Sequence, residues 1–210
     1  MKRRSASIAM LVMLAGLTLS AQVPAGWKQR LDRSTSASDP DAAGAVKFVT
    51  MGNGFHATNP QAAVYWNPAN AATGNYTVKA SFRLVRPSNP TNYYGLVLGG
   101  SELDGPNQSY IYFTVAQDGS WLLKRRDGDA APTIAGKTVT DAVKKPGADG
   151  TSVNDLEVRV QASKIDYVVN GTVVHSTPKT GTTAKTNGLT GIRVNHMLEV
   201  HIDNFSVVKQ

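Results

Sequence analysis

Residues 110–126 read YIYFTVAQDGSWLLKRR, two runs of β-branched, aromatic and aliphatic residues that meet at Asp118 and Gly119. Both turn residues tolerate the positive φ of a two-residue type I′ turn, whose twist suits a β-hairpin. That register sets Gln117 opposite Ser120, Ala116 opposite Trp121, Thr114 opposite Leu123 and Tyr112 opposite Arg125. Side chains alternate between the faces of a ribbon. Tyr110, Tyr112, Thr114, Trp121 and Arg125 therefore share one face, and Ile111, Phe113, Val115 and Leu122 the other, as core. Tyrosine, tryptophan and arginine on a non-core face suit a sugar, because flat rings cover its C–H side while phenol and guanidinium groups reach its hydroxyls. Tyr110, Tyr112, Trp121 and Arg125 are the expected ligand-binding residues, and the arginine also suits an acidic sugar.

The same grammar recurs along the chain. Asn170 and Gly171 make a second hairpin turn, and alternating runs bounded by turn residues occur at 46–50, 63–66, 76–85, 93–99, 156–162, 164–170, 172–176, 190–195 and 198–208. No segment after the N-terminus has a helical period. Eleven short strands in one domain predict an all-β sandwich or barrel. Stretches 34–44, 127–136 and 177–188 read as loops. Of Tyr65 and Trp66, and of Tyr93 and Tyr94, one of each pair should point to the core and its neighbour to the opposite face.

The N-terminus carries Lys2, Arg3 and Arg4, an apolar run from Ile8 to Leu19, and small residues at Ser20 and Ala21, the pattern of a secretory signal peptide. Cleavage is expected after residue 20 or 21, or as late as Ala25, which predicts a secreted or periplasmic product. No cysteine is present, which excludes disulfides. The remaining chain, about 185 residues, suits one domain. The expected division is a signal at 1–21, an N-terminal extension and loop at 22–45, and one domain at 46–210. The formal charge of +7 falls to +4 without the three basic residues of the signal. That imbalance is too mild to predict nucleic-acid binding, and no membrane anchor is expected.

The segments NDLEVRVQASKIDYVVNGTVVHSTP (154–178) and GLTGIRVNHMLEVHIDNFSV (188–207) resemble the closing strands of the concanavalin A-like lectin and glucanase superfamily. The likeness is nearest to laminin-G-like domains and to the bacterial 3-keto-disaccharide hydrolase domain, a family 16 glycoside hydrolase-like fold. GNYTVKASFRL (74–84) is similar to the superfamily's early strand, and 93–126 to its middle. The resemblance implies a two-sheet antiparallel jelly roll with sugars bound on or beside a concave face. It leaves three readings: a non-catalytic, lectin-like saccharide-binding domain, a hydrolase of the 3-keto-disaccharide type, or an extracellular protein-binding domain. Family 16 glucanases carry E-x-D-x-x-E on one strand. Here ELDGPN (102–107) retains Glu102 and Asp104 but has Asn107 in the last place.

Two other clusters carry chemistry. In LEVHID (198–203), strand alternation puts Leu198, Val200 and Ile202 on one face and Glu199, His201 and Asp203 on the other, leaving His196 outside the polar row. A solvated strand face is the first reading of that row, and catalysis would need a partner strand. Together with Glu102 and Asp104, these are the candidate acids and bases. Asp127 and Asp129 are the candidate ligands of a calcium ion, the one cofactor the sequence allows, although their spacing is not that of a helix-loop calcium site.

Overall fold

A computed structural model describes residues 23–34 and 36–210. The expected signal segment, 1–21, lies outside the described residues. Fourteen strands follow in chain order: β1 (Lys28–Asp32), β2 (Lys47–Met51), β3 (Gly54–Asn59), β4 (Ala62–Trp66), β5 (Tyr76–Arg86), β6 (Tyr93–Ser101), β7 (Ser109–Ala116), β8 (Ser120–Asp127), β9 (Thr133–Val139), β10 (Ser152–Val160), β11 (Lys164–Val169), β12 (Thr172–Pro178), β13 (Leu189–Val194) and β14 (Leu198–Lys209). They form two antiparallel seven-stranded sheets. Sheet A runs β1-β4-β13-β6-β7-β8-β9 and sheet B runs β12-β11-β10-β5-β14-β3-β2. The expected all-β jelly-roll sandwich is the fold observed.

The core lies between the sheets and follows from alternation. On β5, Tyr76, Val78, Ala80, Phe82 and Leu84 are buried while the residues between them are not. From sheet A, Tyr65, Tyr94, Leu96, Phe113 and Ile192 meet them. As expected, Tyr65 and Tyr94 are the core members of their pairs and Trp66 and Tyr93 turn the other way. Trp27 closes one end of the sandwich with its ring centroid 4.7 Å from that of Phe55 and 5.4 Å from those of Phe48 and Phe205.

All eleven predicted strands are present, and three more are not legible in the sequence. β1 lies within the segment expected to be extension and loop, yet it is an edge strand of sheet A paired with β4. Its sequence KQRLD is polar on both faces, as edge strands commonly are. β3 is short and carries glycine at its start, and β9, within the expected loop 127–136 and just beyond, is a largely exposed edge.

The turn at Asp118 corrects the hairpin register. Val115 pairs with Trp121, Thr114 with Leu122 and Tyr112 with Lys124. The loop therefore has three residues, Gln117, Asp118 and Gly119. The Gly119 N–H donates to the Ala116 carbonyl at 3.1 Å, and Gly119 has φ +84°. This is a type I turn closed by a left-handed glycine. Asp118 Oδ1 fixes it by accepting from the Ser120 N–H at 3.1 Å. A one-residue slip moves every downstream side chain to the other face. Trp121 and Arg125 thus leave the Tyr110 face, and Leu122, Lys124 and Arg126 take their place.

The second turn has the expected two residues, with Asn170 at φ +49° and Gly171 at φ +83°. A Cβ on Gly171 would meet nothing within 4 Å. Gly171→Ala is therefore expected to lower stability by conformational strain alone, by about 1–2 kcal/mol, read from the midpoint of denaturant unfolding.

Candidate functional site

The outer face of sheet A collects the side chains that the register turns away from the core. Across the strands, Arg30 and Arg193 both lie opposite Val64, and Lys28 lies opposite Trp66. Tyr112 lies between Val97 and Lys124, and Tyr110 opposite Arg126.

Arg193 is the hub. Its Nη1 donates to Asp32 Oδ2 at 2.6 Å and to the Tyr110 hydroxyl at 2.7 Å, and its Nε to Asn195 Oδ1 at 3.0 Å. Its guanidinium lies 5.0 Å from the centre of the Tyr112 ring. Both partners of the ion pair are buried, with 9% and 7% of their side chains exposed. Burial opposes the Asp32 charge, but Arg193 and then Arg126 hold its carboxyl below the usual range. Burial pushes the Tyr110 and Tyr112 hydroxyls up, so both stay neutral. Lys124 is shifted down, first by burial and then by the charges of Arg193 and Arg126. Gln108 is oriented with its amide oxygen accepting from Arg30 Nε at 3.1 Å and Arg126 Nε at 3.3 Å.

A loop covers part of this face. Leu103 is 1% exposed among Val64, Trp66, Val97, Tyr110 and Tyr112, a hydrophobic cluster separate from the main core. The Arg30 guanidinium donates to the Gly105 carbonyl, and Lys28 lies 3.6 Å from Asp104. As a result, Tyr110 and Tyr112 are not an open stacking platform, being 0% and 6% exposed. The accessible part of the face is its cationic end. There a cavity of about 420 Å³ is lined by Arg30, Leu31, Asp32, Arg33, Arg126 and Asp129. A neighbouring one of about 230 Å³ is shared by Asp32, Arg33, Arg126, Arg193 and His196, among others. His196 holds the 36–44 loop at its rim, with Nε2 2.8 Å from Asp39 and Nδ1 3.1 Å from Asp41.

The other expected residues lie elsewhere. Trp121 is 4% exposed and packs in the main core, with ring centroids 6.2 Å from Phe113 and 5.1 Å from His175. Arg125 is buried at the opposite side of the sheet, donating to Ser109 Oγ at 2.5 Å and to the Thr182 carbonyl at 3.2 Å. Both are structural contacts. Glu199, His201 and Asp203 form the expected polar row, on the outer face of sheet B. There His56 Nε2 lies 3.0 Å from Glu199, and His201 Nε2 lies 3.2 Å from Asp203. Glu102 and Asp104 sit in the loop over sheet A, so the two sets of candidate acids are on opposite sides of the sandwich and do not converge. Asp127 closes a turn with Ala130, and Asp129 lies 3.9 Å from Arg126. Among the described residues, no three His, Cys, Asp or Glu side chains are grouped to hold a metal.

A depression of about 610 Å³ lies on sheet B and includes Lys79, Ser81, Asp155, Glu157, Gly171 and Ser206. It is a trough left by small side chains, in which Lys79 lies opposite Glu157 in the strand register and Glu157 accepts from Arg159 Nε at 2.9 Å. The sheet A face differs in leaving several cations around one buried carboxylate. No motif in the sequence marks Asp32, Lys124, Arg126 or Arg193. The signal available for Arg193 is its place between Ile192 and Val194, which alternation sends to the core.

No protein-family model matches the chain, and no curated protein matches it in sequence. Solved structures match in shape. A carbohydrate-binding module, CBM66, from Bacillus subtilis superposes with TM-score 0.60 at 10% identity, covering 87% of this chain and 95% of the other. A Bacillus subtilis protein of unknown function with a galectin-like fold gives TM-score 0.61 at 12% identity, covering 88% and 90%. A Bacteroides ovatus GH16 from a mixed-linkage glucan locus, in complex with a G4G4G3G product, gives 0.59 at 7% identity, covering 87% and 94%. The chain therefore has the concanavalin A-like jelly-roll fold that these structures share.

Proposed function

We propose that the protein is an exported, non-catalytic saccharide-binding domain whose site is the accessible end of the outer face of sheet A. The observation that carries this reading is the prearranged polar array there. Arg193 is fixed by Asp32, Tyr110 and Asn195, and Arg30, Arg33 and Arg126 line the adjoining cavity. Buried, immobilised donors bind hydroxyl-rich ligands with little ordering cost. The shared fold lends support, since one neighbour is a carbohydrate-binding module and another holds an oligosaccharide product. The separation of Glu102 and Asp104 from Glu199, His201 and Asp203 favours binding over hydrolysis, which needs two carboxyl groups about 5–10 Å apart across one bond. Export rests on the basic and apolar pattern of residues 1–21.

Titration of the purified protein against a panel of polysaccharides tests the reading. Arg126→Gln is expected to weaken saccharide binding about 10-fold or more, as loss of a charged hydrogen bond does. His201→Ala, on the opposite sheet, should leave affinity unchanged. Absence of binding across the panel, or equal loss in the two variants, would overturn the assignment.

A further inference from the structure

The chemistry of the same face narrows the ligand, an inference that rests on the saccharide reading. A neutral sugar hydroxyl both donates and accepts, so sites for neutral sugars offer acceptors beside their donors. The larger of the two cavities on this face has three guanidinium groups in its lining against two carboxylates. Arg30, Arg33 and Arg126 line the 420 Å³ cavity. Arg193 shares the adjoining 230 Å³ cavity with Arg33 and Arg126, and Lys124 lies opposite Tyr112 in the strand register. Of the acceptors, Asp32 is taken by Arg193 at 2.6 Å and by Arg30 at 3.5 Å, and the Gln108 oxygen is turned toward Arg30 and Arg126. Asp129 stands fully exposed, 3.9 Å from Arg126. The buried carboxylate is thus spent inside the array, and the cations at the rim lack a matching number of anions. An acceptor-only group, planar or tetrahedral, completes such a fork of guanidinium groups.

We infer that the site takes an anionic saccharide, a uronate or a sulfated glycan, whose carboxylate or sulfate is received between Arg30, Arg33 and Arg126. Lys124 is shifted down first by burial and then by Arg193 and Arg126, and that second contribution agrees with an unneutralised positive field.

The test compares polygalacturonate and chondroitin sulfate with neutral dextran and laminarin, and with a single-stranded oligonucleotide, at low and physiological salt. Wild type is measured beside Arg126→Gln, Arg33→Gln and Lys209→Gln. Arg33 and Lys209 are exposed, so their variants fold, and Lys209 lies on sheet B as a control for net charge. Anionic glycans should bind about 10-fold or more tightly than neutral ones, with about 10-fold loss in Arg126→Gln and several-fold loss in Arg33→Gln. Lys209→Gln should match wild type. Equal binding of neutral and anionic glycans, with Arg126→Gln weakening both alike, would overturn the anionic assignment and leave the saccharide site standing, whereas arginine variants that bind like wild type would overturn the site itself. Tighter binding of the oligonucleotide, or an equal loss in Lys209→Gln, would overturn it in favour of general polyanion attraction. If no glycan of either kind binds, the saccharide reading itself falls.

Discussion

Trp121→Ala is expected to cost about 3–5 kcal/mol of unfolding free energy, the range for removing a buried aromatic side chain, and to leave saccharide affinity of the folded fraction unchanged. The three-residue turn at Gln117–Gly119 sends Trp121 inward, where it packs against Phe113 and His175 and forms part of the main core. Two-residue turn geometry would instead have placed it on the Tyr112 face, opposite Ala116, and made it a ligand contact. Denaturant unfolding and glycan titration on the same variant separate the alternatives. A stable variant that has lost binding would put Trp121 back on the ligand face.

The second large effect belongs to Asp32. Asp32→Ala removes the buried partner of Arg193 and leaves that guanidinium, 9% exposed, without its counter-charge. Breaking one side of a buried pair costs about 3–5 kcal/mol. The same pair makes stability depend on acid. Burial opposes the charge, but Arg193 and Arg126 together more than compensate, so the folded carboxyl titrates below its unfolded value. Its contribution is therefore complete above about pH 4, the unfolded carboxylate range, and is lost as pH falls through the lower folded value. Unfolding midpoints measured from pH 6 downward should fall in wild type, and the part of that fall due to Asp32 should be missing from Asp32→Ala. Parallel acid profiles for the two proteins would mean that the pair adds nothing to stability.

Much of the fold can be read from alternation because sheet B obeys it. β5 and β14 each bury one face, so Leu198, Val200 and Ile202 declare the core and Glu199 and His201 the solvent side. Sheet A obscures the pattern around β7, where both faces are buried, one by the core and the other by Leu103 and its loop. Tyr110 and Tyr112 are legible as leaving the core, but nothing local announces that Leu103 covers them. The slip at Asp118 is hidden for a physical reason: Asp-Gly serves a two-residue turn and the end of a three-residue turn equally well. That single residue exchanges Trp121 and Arg125 for Lys124 and Arg126, and with them the character of the face from aromatic to cationic. Asp32 is out of reach because KQRLD has no strand signature until β4 pairs with it.

The most direct measurement is backbone and arginine side-chain NMR of the protein titrated with short oligogalacturonates. Shifts are expected to concentrate at Arg30, Arg33, Lys124, Arg126 and Arg193, with the sheet B trough around Lys79 and Glu157 silent. Shifts centred on that trough, or on Glu199 and His201, would contradict the assignment of the site to sheet A.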